Sequence, residues 1–271
     1  MRHKLQLIAL IAITSILSSC GGGAEIDLFP VSNDGEDFQY VDREGKIVIN
    51  PQFAEASLFR DGLALVLTSG EEKKYGYITE DGKYAITPQY IAATGFSEGL
   101  AWGVTENSPP SAINKKGEIQ FTLQEAEAVR NFKDGLAAFL IITQGEGSEN
   151  EKWGFVNKKG EVVINPQFSY ANNFSDGLCA VENDDGKWGF IDKDGKIVIN
   201  YQFTNIDKSY CRFKNGRCVV ELNGKSGVID TEGKYIINPQ FDGMIADGDL
   251  FMVEQGGKLG WSDTDGKLII N

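Results

Sequence analysis

Lys152-Trp153-Gly154-Phe155-Val156-Asn157-Lys158-Lys159-Gly160-Glu161-Val162-Val163-Ile164-Asn165-Pro166-Gln167-Phe168 holds two short apolar runs joined by a polar turn that closes on Gly. Val162-Val163-Ile164 is a β-branched run bounded by turn residues, which predicts a short strand. Gly160 stands where a hairpin needs a residue at positive φ, a region that only Gly enters without a Cβ penalty. The same pattern recurs around Gly45, Gly82, Gly117, Gly195, Gly233 and Gly266, at spacings of 33 to 43 residues. A repeat this regular predicts an array of small β units rather than a domain built around one pocket.

Each copy carries two further marks. An Asn-Pro-Gln-Phe variant follows the turn Gly, with Pro at 51, 88, 166 and 239 and Tyr201 in its place in the fifth copy. The third copy, Thr122-Leu123-Gln124, keeps only the Gln. Because Pro cannot donate to a ladder or sit in a central strand, it is expected to mark where one sheet unit is left and the next begins. Phe-x-(Asp/Glu)-Gly-Leu-Ala then follows at 59–64, 96–101 and 132–137, and at 174–179 with Cys179 in the Ala position. Val31 precedes Phe38 by the interval that separates Val181 from Trp188, so Leu28-Phe29-Pro30-Val31 is read as the first strand. The expected organisation is residues 1–19 signal peptide, 20–27 lipidated Cys and tether, and 28–271 one continuous repeat domain. Insertions at 105–111 and 143–151 lengthen the same kind of polar turn and are expected on one edge, where repeat proteins often bind.

The fold expected is all-β: a tandem array of about seven antiparallel units of three to four strands, with Gln-Phe-x-x-Ala as the fourth. Such units form an open curved array or close into a propeller-like ring, and the lean strand count favours the open form.

The N-terminus speaks to compartment. Arg2, His3 and Lys4 precede an apolar stretch from Leu5 to Leu17, the layout of a secretory signal and too short to span a bilayer comfortably. Leu17-Ser18-Ser19-Cys20 resembles the bacterial lipobox, which implies cleavage before Cys20 and a diacyl, palmitate-type lipid on its sulfur. Gly21-Gly22-Gly23-Ala24 reads as a flexible tether, and Gly21 in place of Asp favours the outer membrane, with the face it occupies left open. The membrane is thus an expected partner through the lipid. The whole chain has 26 basic and 39 acidic residues, for a net charge of −13; loss of Arg2 and Lys4 takes it to −15. Phosphate-rich partners are therefore repelled, and no nucleic acid partner is expected.

The Trp-Gly positions carry a family resemblance. Lys152-Trp153-Gly154-Phe155 and Lys187-Trp188-Gly189-Phe190, followed by the Gly turn, Pro-Gln-Phe and Asp-Gly-Leu-Ala, resemble the WG (KWG) repeat family of bacterial proteins. The pair degrades to Tyr75-Gly76, Ser226-Gly227 and Leu259-Gly260, and loses its Gly at Phe38-Gln39 and Pro110-Ser111. The resemblance implies an all-β tandem array, usually exported, with no general activity and no catalytic residues to carry over.

Side-chain chemistry is sparse. His3 is the only His, so the mature chain lacks an imidazole for a nucleophilic relay or a His metal site, and no enzyme activity, metal or cofactor is expected. Asp192 with Asp194, Asp263 with Asp265, and Asp184 with Asp185 sit in polar turns, where Asp bonds its own backbone. Counting twelve from Asp192 reaches Phe203, where a calcium loop needs Glu. Trp153 and Trp188 occupy repeated strand positions and are read as core. Trp102 lies outside that register and is the candidate for surface contact.

Cys179 and Cys218 are read as small buried side chains, while Cys211 lies in a stretch longer than its counterparts. A Cys211–Cys218 disulfide is one pairing an oxidising compartment would allow. The function expected is a lipid-anchored, non-enzymatic binding or scaffold module in the cell envelope, with a protein or envelope polymer as partner. The alternative is a glycan-binding or carboxylate-based glycan-hydrolysing surface protein.

Overall fold

A computed structural model of the chain describes residues 27–32, 35–144, 149–204, 211–248 and 250–270. The expected signal peptide, the Cys20 lipid site and all of the tether but Asp27 lie outside the described residues. Every regular element among them is a β-strand, and no helix is long and apolar enough to cross a membrane. They fall into two compact units: one runs to Gly135 and includes Lys158–Glu161, the other comprises Leu136–Asn157 and Val162 onward.

The first unit is built of antiparallel meanders. A six-stranded sheet runs Phe29–Val31, Phe38–Val41, Ile47–Ala56, Ala64–Thr68, Tyr75–Ile78, Tyr84–Tyr90 in sequence order. Two repeats share this sheet because Ile47–Ala56 is long enough to pair with Phe38–Val41 along its first part and Ala64–Thr68 along its last. A four-stranded sheet follows, Ala92–Ala93, Ala101–Val104, Ser111–Ile113, Ile119–Thr122.

The second unit repeats the scheme. Its first hairpin, Leu136–Gln144 with Glu149–Asn157, is edged by Val162–Phe168. Next comes Tyr170–Ala171, Cys179–Glu182, Trp188–Ile191, Ile197–Phe203. Arg217–Leu222, Lys225–Asp230 and Tyr235–Phe241 form a three-stranded sheet, and Gly243–Asp247, Leu250–Gln255, Lys258–Ser262 and Leu268–Ile270 a four-stranded one. The expected fourth strand is therefore present and mostly short, as in Ala92–Ala93 and Tyr170–Ala171.

One expectation is corrected. Pro166 does not mark an exit from the sheet; it lies inside the strand Val162–Phe168. Trp153 pairs with Phe168 and Phe155 with Ile164, so four steps on one strand oppose two on the other. The chain bulges outward over Asn165-Pro166-Gln167, where the missing Pro N–H costs no ladder bond. The same bulge recurs at Pro51, Pro88, Tyr201 and Pro239.

The bulge explains the Gly of Trp-Gly. A Cβ on Gly154 would stand 2.6 Å from the Ile164 carbonyl oxygen and 2.7 Å from the Pro166 nitrogen, both backbone atoms. Gly76, Gly189 and Gly227 meet the same obstruction from their own bulges. Ser111 replaces this Gly in the repeat that also lacks the Pro, and there it pairs directly with Thr122. Gln39 stands at this place in the first repeat beside the Pro51 bulge, and nothing in the structure explains how it is accommodated.

The Asp-Gly-Leu signature is a two-residue hairpin turn. Asp176 and Gly177 have φ of 53° and 78°, and Ser175 and Leu178 exchange both backbone hydrogen bonds around them. Two successive positive φ values define the type I′ turn, whose twist matches the flanking strands and which favours Asp-Gly. Each strand then delivers aromatics to a buried cluster. Phe155 packs edge-on to Phe168 and Phe174, as Phe190 does to Phe203 and Phe213 and Tyr77 to Tyr90 and Phe96.

Candidate interaction surface

The acidic residues that recur in the sequence are tied into backbone. Asp192 accepts hydrogen bonds on Oδ1 from the N–H of Asp194 (3.1 Å) and Lys196 (2.9 Å), and Asp263 does the same for Asp265 and Lys267. These side chains close the polar turn, as Asp does where its carboxylate reaches the backbone two residues on. In the hairpin turns the acid reaches the next repeat. Asp61 accepts from the Gly99 N–H at 2.7 Å, Glu98 from Gly135 at 3.0 Å and Asp176 from Gly216 at 2.8 Å.

Charge-assisted bonds of this kind to backbone N–H groups are stronger than neutral ones. Asp176→Ala is expected to lose about 1–2 kcal/mol of stability, from the lost bond and from Ala at positive φ. Asp176→Asn should retain most of it, because Asn tolerates the same backbone and still offers an oxygen. Urea denaturation of the two variants separates this from a purely electrostatic role, which would make Asn as damaging as Ala.

The carboxylates with displaced pKa values are displaced downward. Hydrogen bonds from Lys83 and Thr79 bring Asp81 to about 2; Lys152 and Ser169 lower Asp184, and Lys225 and the Gly256 N–H lower Asp242. Among the described residues no group of three His, Cys, Asp or Glu side chains is placed to hold a metal ion.

The structure moves Trp102 from surface to core. It is 1% exposed, stacks on Phe132 at 5.4 Å, meets Phe121 edge-on, and donates from Nε1 to the Arg130 carbonyl at 2.9 Å. The reason is the ladder. Trp102 pairs with Ala112, whereas equivalent pairs elsewhere are Ala138 with Phe155 and Ala180 with Phe190. The large side chain has changed strands, and its volume fills the same cluster. Trp153 and Trp188 are buried as expected, on either side of Tyr170.

The two expected insertions fall in equivalent turns. Residues 105–110 form a compact turn in which the Thr105 and Ser108 hydroxyls bond at 2.7 Å, above a cavity of about 140 Å³ that Tyr90, Gly103 and Ser111 also line. Ser111 bonds the Thr122 hydroxyl, and the space is below the few hundred Å³ typical of small-molecule sites. The second insertion lengthens a hairpin: Ile141 to Gln144 pair with Lys152 to Glu149, Lys152 bonds Asp184 of the next repeat, and residues 145–148 lie outside the described set.

Many of the exposed apolar residues stand at the start of outer strands. Val162 and Val163 are 49% and 41% exposed, and Ile197 and Val198 are 44% and 42%. Ile47 and Val48, Tyr84, Ile119, and Leu268 and Ile269 occupy the same place in other repeats and are also exposed. Most of these strands lie at a sheet edge, so the apolar side chains accompany unpaired backbone groups. The strand signal in the sequence located these residues; their exposure depended on which strand lies outermost.

Meanders of three to six strands, linked by type I′ turns and repeated along the chain, define an all-β tandem repeat protein. A family model described as WG containing repeat matches residues 40–70, 75–102, 153–188, 188–225 and 227–258, more than half of the sequence. The chain belongs to this family. Among solved structures, a eukaryotic initiation factor is similar with a TM-score of 0.58 at 11% identity, over 94% of this chain and 77% of that one. BamB from Moraxella catarrhalis gives 0.47 at 9% identity over 90% and 81%, and Hsv2 from Kluyveromyces lactis 0.44 at 11% over 89% and 87%. At 11% identity the likeness to the initiation factor is one of fold alone. No curated protein matches the chain significantly.

Proposed function

We propose that this WG-repeat chain is a lipid-anchored envelope protein, held through Cys20, whose array binds a protein partner without catalysing a reaction. The observation that carries the binding reading is the recurrence of exposed β-branched and other apolar residues at the start of outer strands, which stable monomers seldom leave in quantity. An extended partner segment can pair with such an edge through backbone and cover the apolar side chains. A protein is favoured over a glycan because Trp102, Trp153 and Trp188 are buried and Trp261 is half-buried, which leaves few flat aromatic faces for a sugar ring. The non-enzymatic reading rests on the missing imidazole and on carboxylates held ionised, the opposite of what a proton donor needs. The anchor and the outer membrane rest on the Leu17-Ser18-Ser19-Cys20 sequence and on Gly21.

Thr preserves the β-branch while replacing a methyl of Val, or the ethyl of Ile, with a hydroxyl, so it tests the surface without breaking the strand. The variant Val162→Thr, Val163→Thr, Ile197→Thr, Val198→Thr is expected to keep its thermal melt and to lose at least about tenfold in capture of an envelope protein, the loss of ~1.4 kcal/mol or more of binding. Capture unchanged, binding on a glycan array, or turnover of a polysaccharide would each overturn the reading. Cys20→Ala is expected to shift the chain from the membrane to the soluble fraction, and an unchanged membrane fraction would remove the lipid anchor.

A further inference from the structure

We infer that Cys211 and Cys218 are a disulfide site, closed by a disulfide oxidant as the exported chain folds. The two side chains face each other across one hairpin. Their sulfurs lie 3.5 Å apart, and the residues are 3% and 2% exposed. Between them Lys214 and Arg217 exchange backbone hydrogen bonds around Asn215 and Gly216, both at positive φ, so the type I′ turn itself sets the approach. A bond at about 2.05 Å needs the sulfurs to close by roughly 1.5 Å, within reach of side-chain rotation.

No sister repeat places two cysteines here. The equivalent positions hold Ser57 with Ala64, Thr94 with Ala101, Arg130 with Ala137, and Asn172 with Cys179, whose sulfur instead lies 3.1 Å from the Asn172 carbonyl oxygen. This repeat also differs in length. Ten residues separate Phe203 from Phe213, where six separate Phe168 from Phe174 and Phe53 from Phe59. The added segment ends at Cys211, whose carbonyl is bonded by the Asn172 side chain at 3.0 Å. A covalent link to Cys218 would pin the end of that segment to the strand Arg217–Leu222.

The chemistry balances with a disulfide as oxidant. One thiol loses its proton and attacks a sulfur of the oxidant, releasing that sulfur's partner as a thiolate. The second thiolate then displaces the oxidant from the mixed disulfide and forms the Cys211–Cys218 bond. Two electrons pass to the oxidant, which leaves as a dithiol or two thiols, and two protons go to solvent or to those thiolates. Burial slows attack in the folded state, so closure belongs to folding, when the ends of a loop this short meet in roughly 10–100 ns and the slower thiol exchange can follow.

The inference rests on the export reading, because the cytosol keeps thiols reduced. Trypsin cuts after Arg212, Lys214 and Arg217, so a bond would join Ser209-Tyr210-Cys211-Arg212 to the peptide Cys218–Lys225. In full-length protein alkylated at lysis of its own host, the joined peptide is expected, lighter by two hydrogens than its parts. Reductant should then lower the melting temperature by about 4–10 °C, as a short-loop disulfide predicts, and leave Cys218→Ala unmoved. Ala stands at this position in sister repeats, at Ala64, Ala101 and Ala137, so the variant should fold. Host-derived thiols that link on exposure to oxidised glutathione would overturn the export reading and support the site. Thiols that stay apart when the chain is unfolded and refolded in oxidised glutathione would overturn the site.

Discussion

Trp102→Ala is expected to cost about 4–5 kcal/mol, the upper range for loss of a buried aromatic. Three losses combine. The indole leaves a void between Phe121 and Phe132, opposite Ala112, which is too small to collapse into it. The Arg130 carbonyl loses the Nε1 donor. The stacking on Phe132 at 5.4 Å disappears with it.

The cross-strand account makes a stronger claim than burial alone. Ala112→Phe by itself should overpack the cluster and cost roughly 1–3 kcal/mol. Combined with Trp102→Ala it should restore the small-to-large order of Ala138 with Phe155 and of Ala180 with Phe190. The double variant is then expected to recover at least about 2 kcal/mol relative to the sum of the singles, a coupling within the range for residues in contact. Urea unfolding of the four proteins in the cycle measures it. Additive losses would show that Trp102 and Ala112 are independent and that the exchange between strands is accidental.

Gly154→Ala is the second large effect, with an expected cost of about 2–3 kcal/mol. Its cause is not a backbone dihedral, since Gly154 is absent from the residues at positive φ. The added methyl would meet the Ile164 carbonyl and the Pro166 nitrogen below 3 Å, and backbone atoms of a paired strand cannot swing aside as a side chain does. The contrast is Gly62→Ala, where nothing lies within 4 Å but φ is 84°. That change should cost only about 1 kcal/mol, the penalty of a Cβ at positive φ. Moving the obstruction supplies the check. Removing the bulge residue Pro166 should reduce the cost of Gly154→Ala and leave that of Gly62→Ala unchanged; equal penalties in both backgrounds would sink the steric explanation.

Repeat arrays respond locally, because each unit contacts mainly its neighbours. Turn glycines show how tightly those neighbours meet. A Cβ on Gly195 would come within 3.2 Å of Ile164, and one on Gly233 within 3.1 Å of Ile199. A lesion at Gly154 is therefore expected to raise hydrogen exchange first in Glu149–Asn157 and Val162–Phe168, before the last sheet responds.

The sequence by itself determined the strands, the turns and the repeat, because each is a local matter. A β-branched run such as Val162-Val163-Ile164 favours extended backbone wherever it lies, and Asp176-Gly177 accepts two positive φ values that few other pairs tolerate. The turn role of Asp192 was legible for the same reason, its partners being two and four residues away. Trp102 was misplaced because its environment depends on what it faces across the ladder, and the exchange with Ala112 is invisible until register pairs the two strands. Pro166 was misplaced because a proline that ends a central strand is harmless on an outer one that bulges. Only the tertiary structure decided which strand lies outermost, and so which apolar residues are core and which are surface: Ile164 is buried and Val162 and Val163 exposed on the same strand, because the Gly195 turn of the next repeat closes on Ile164 and leaves the strand's start uncovered.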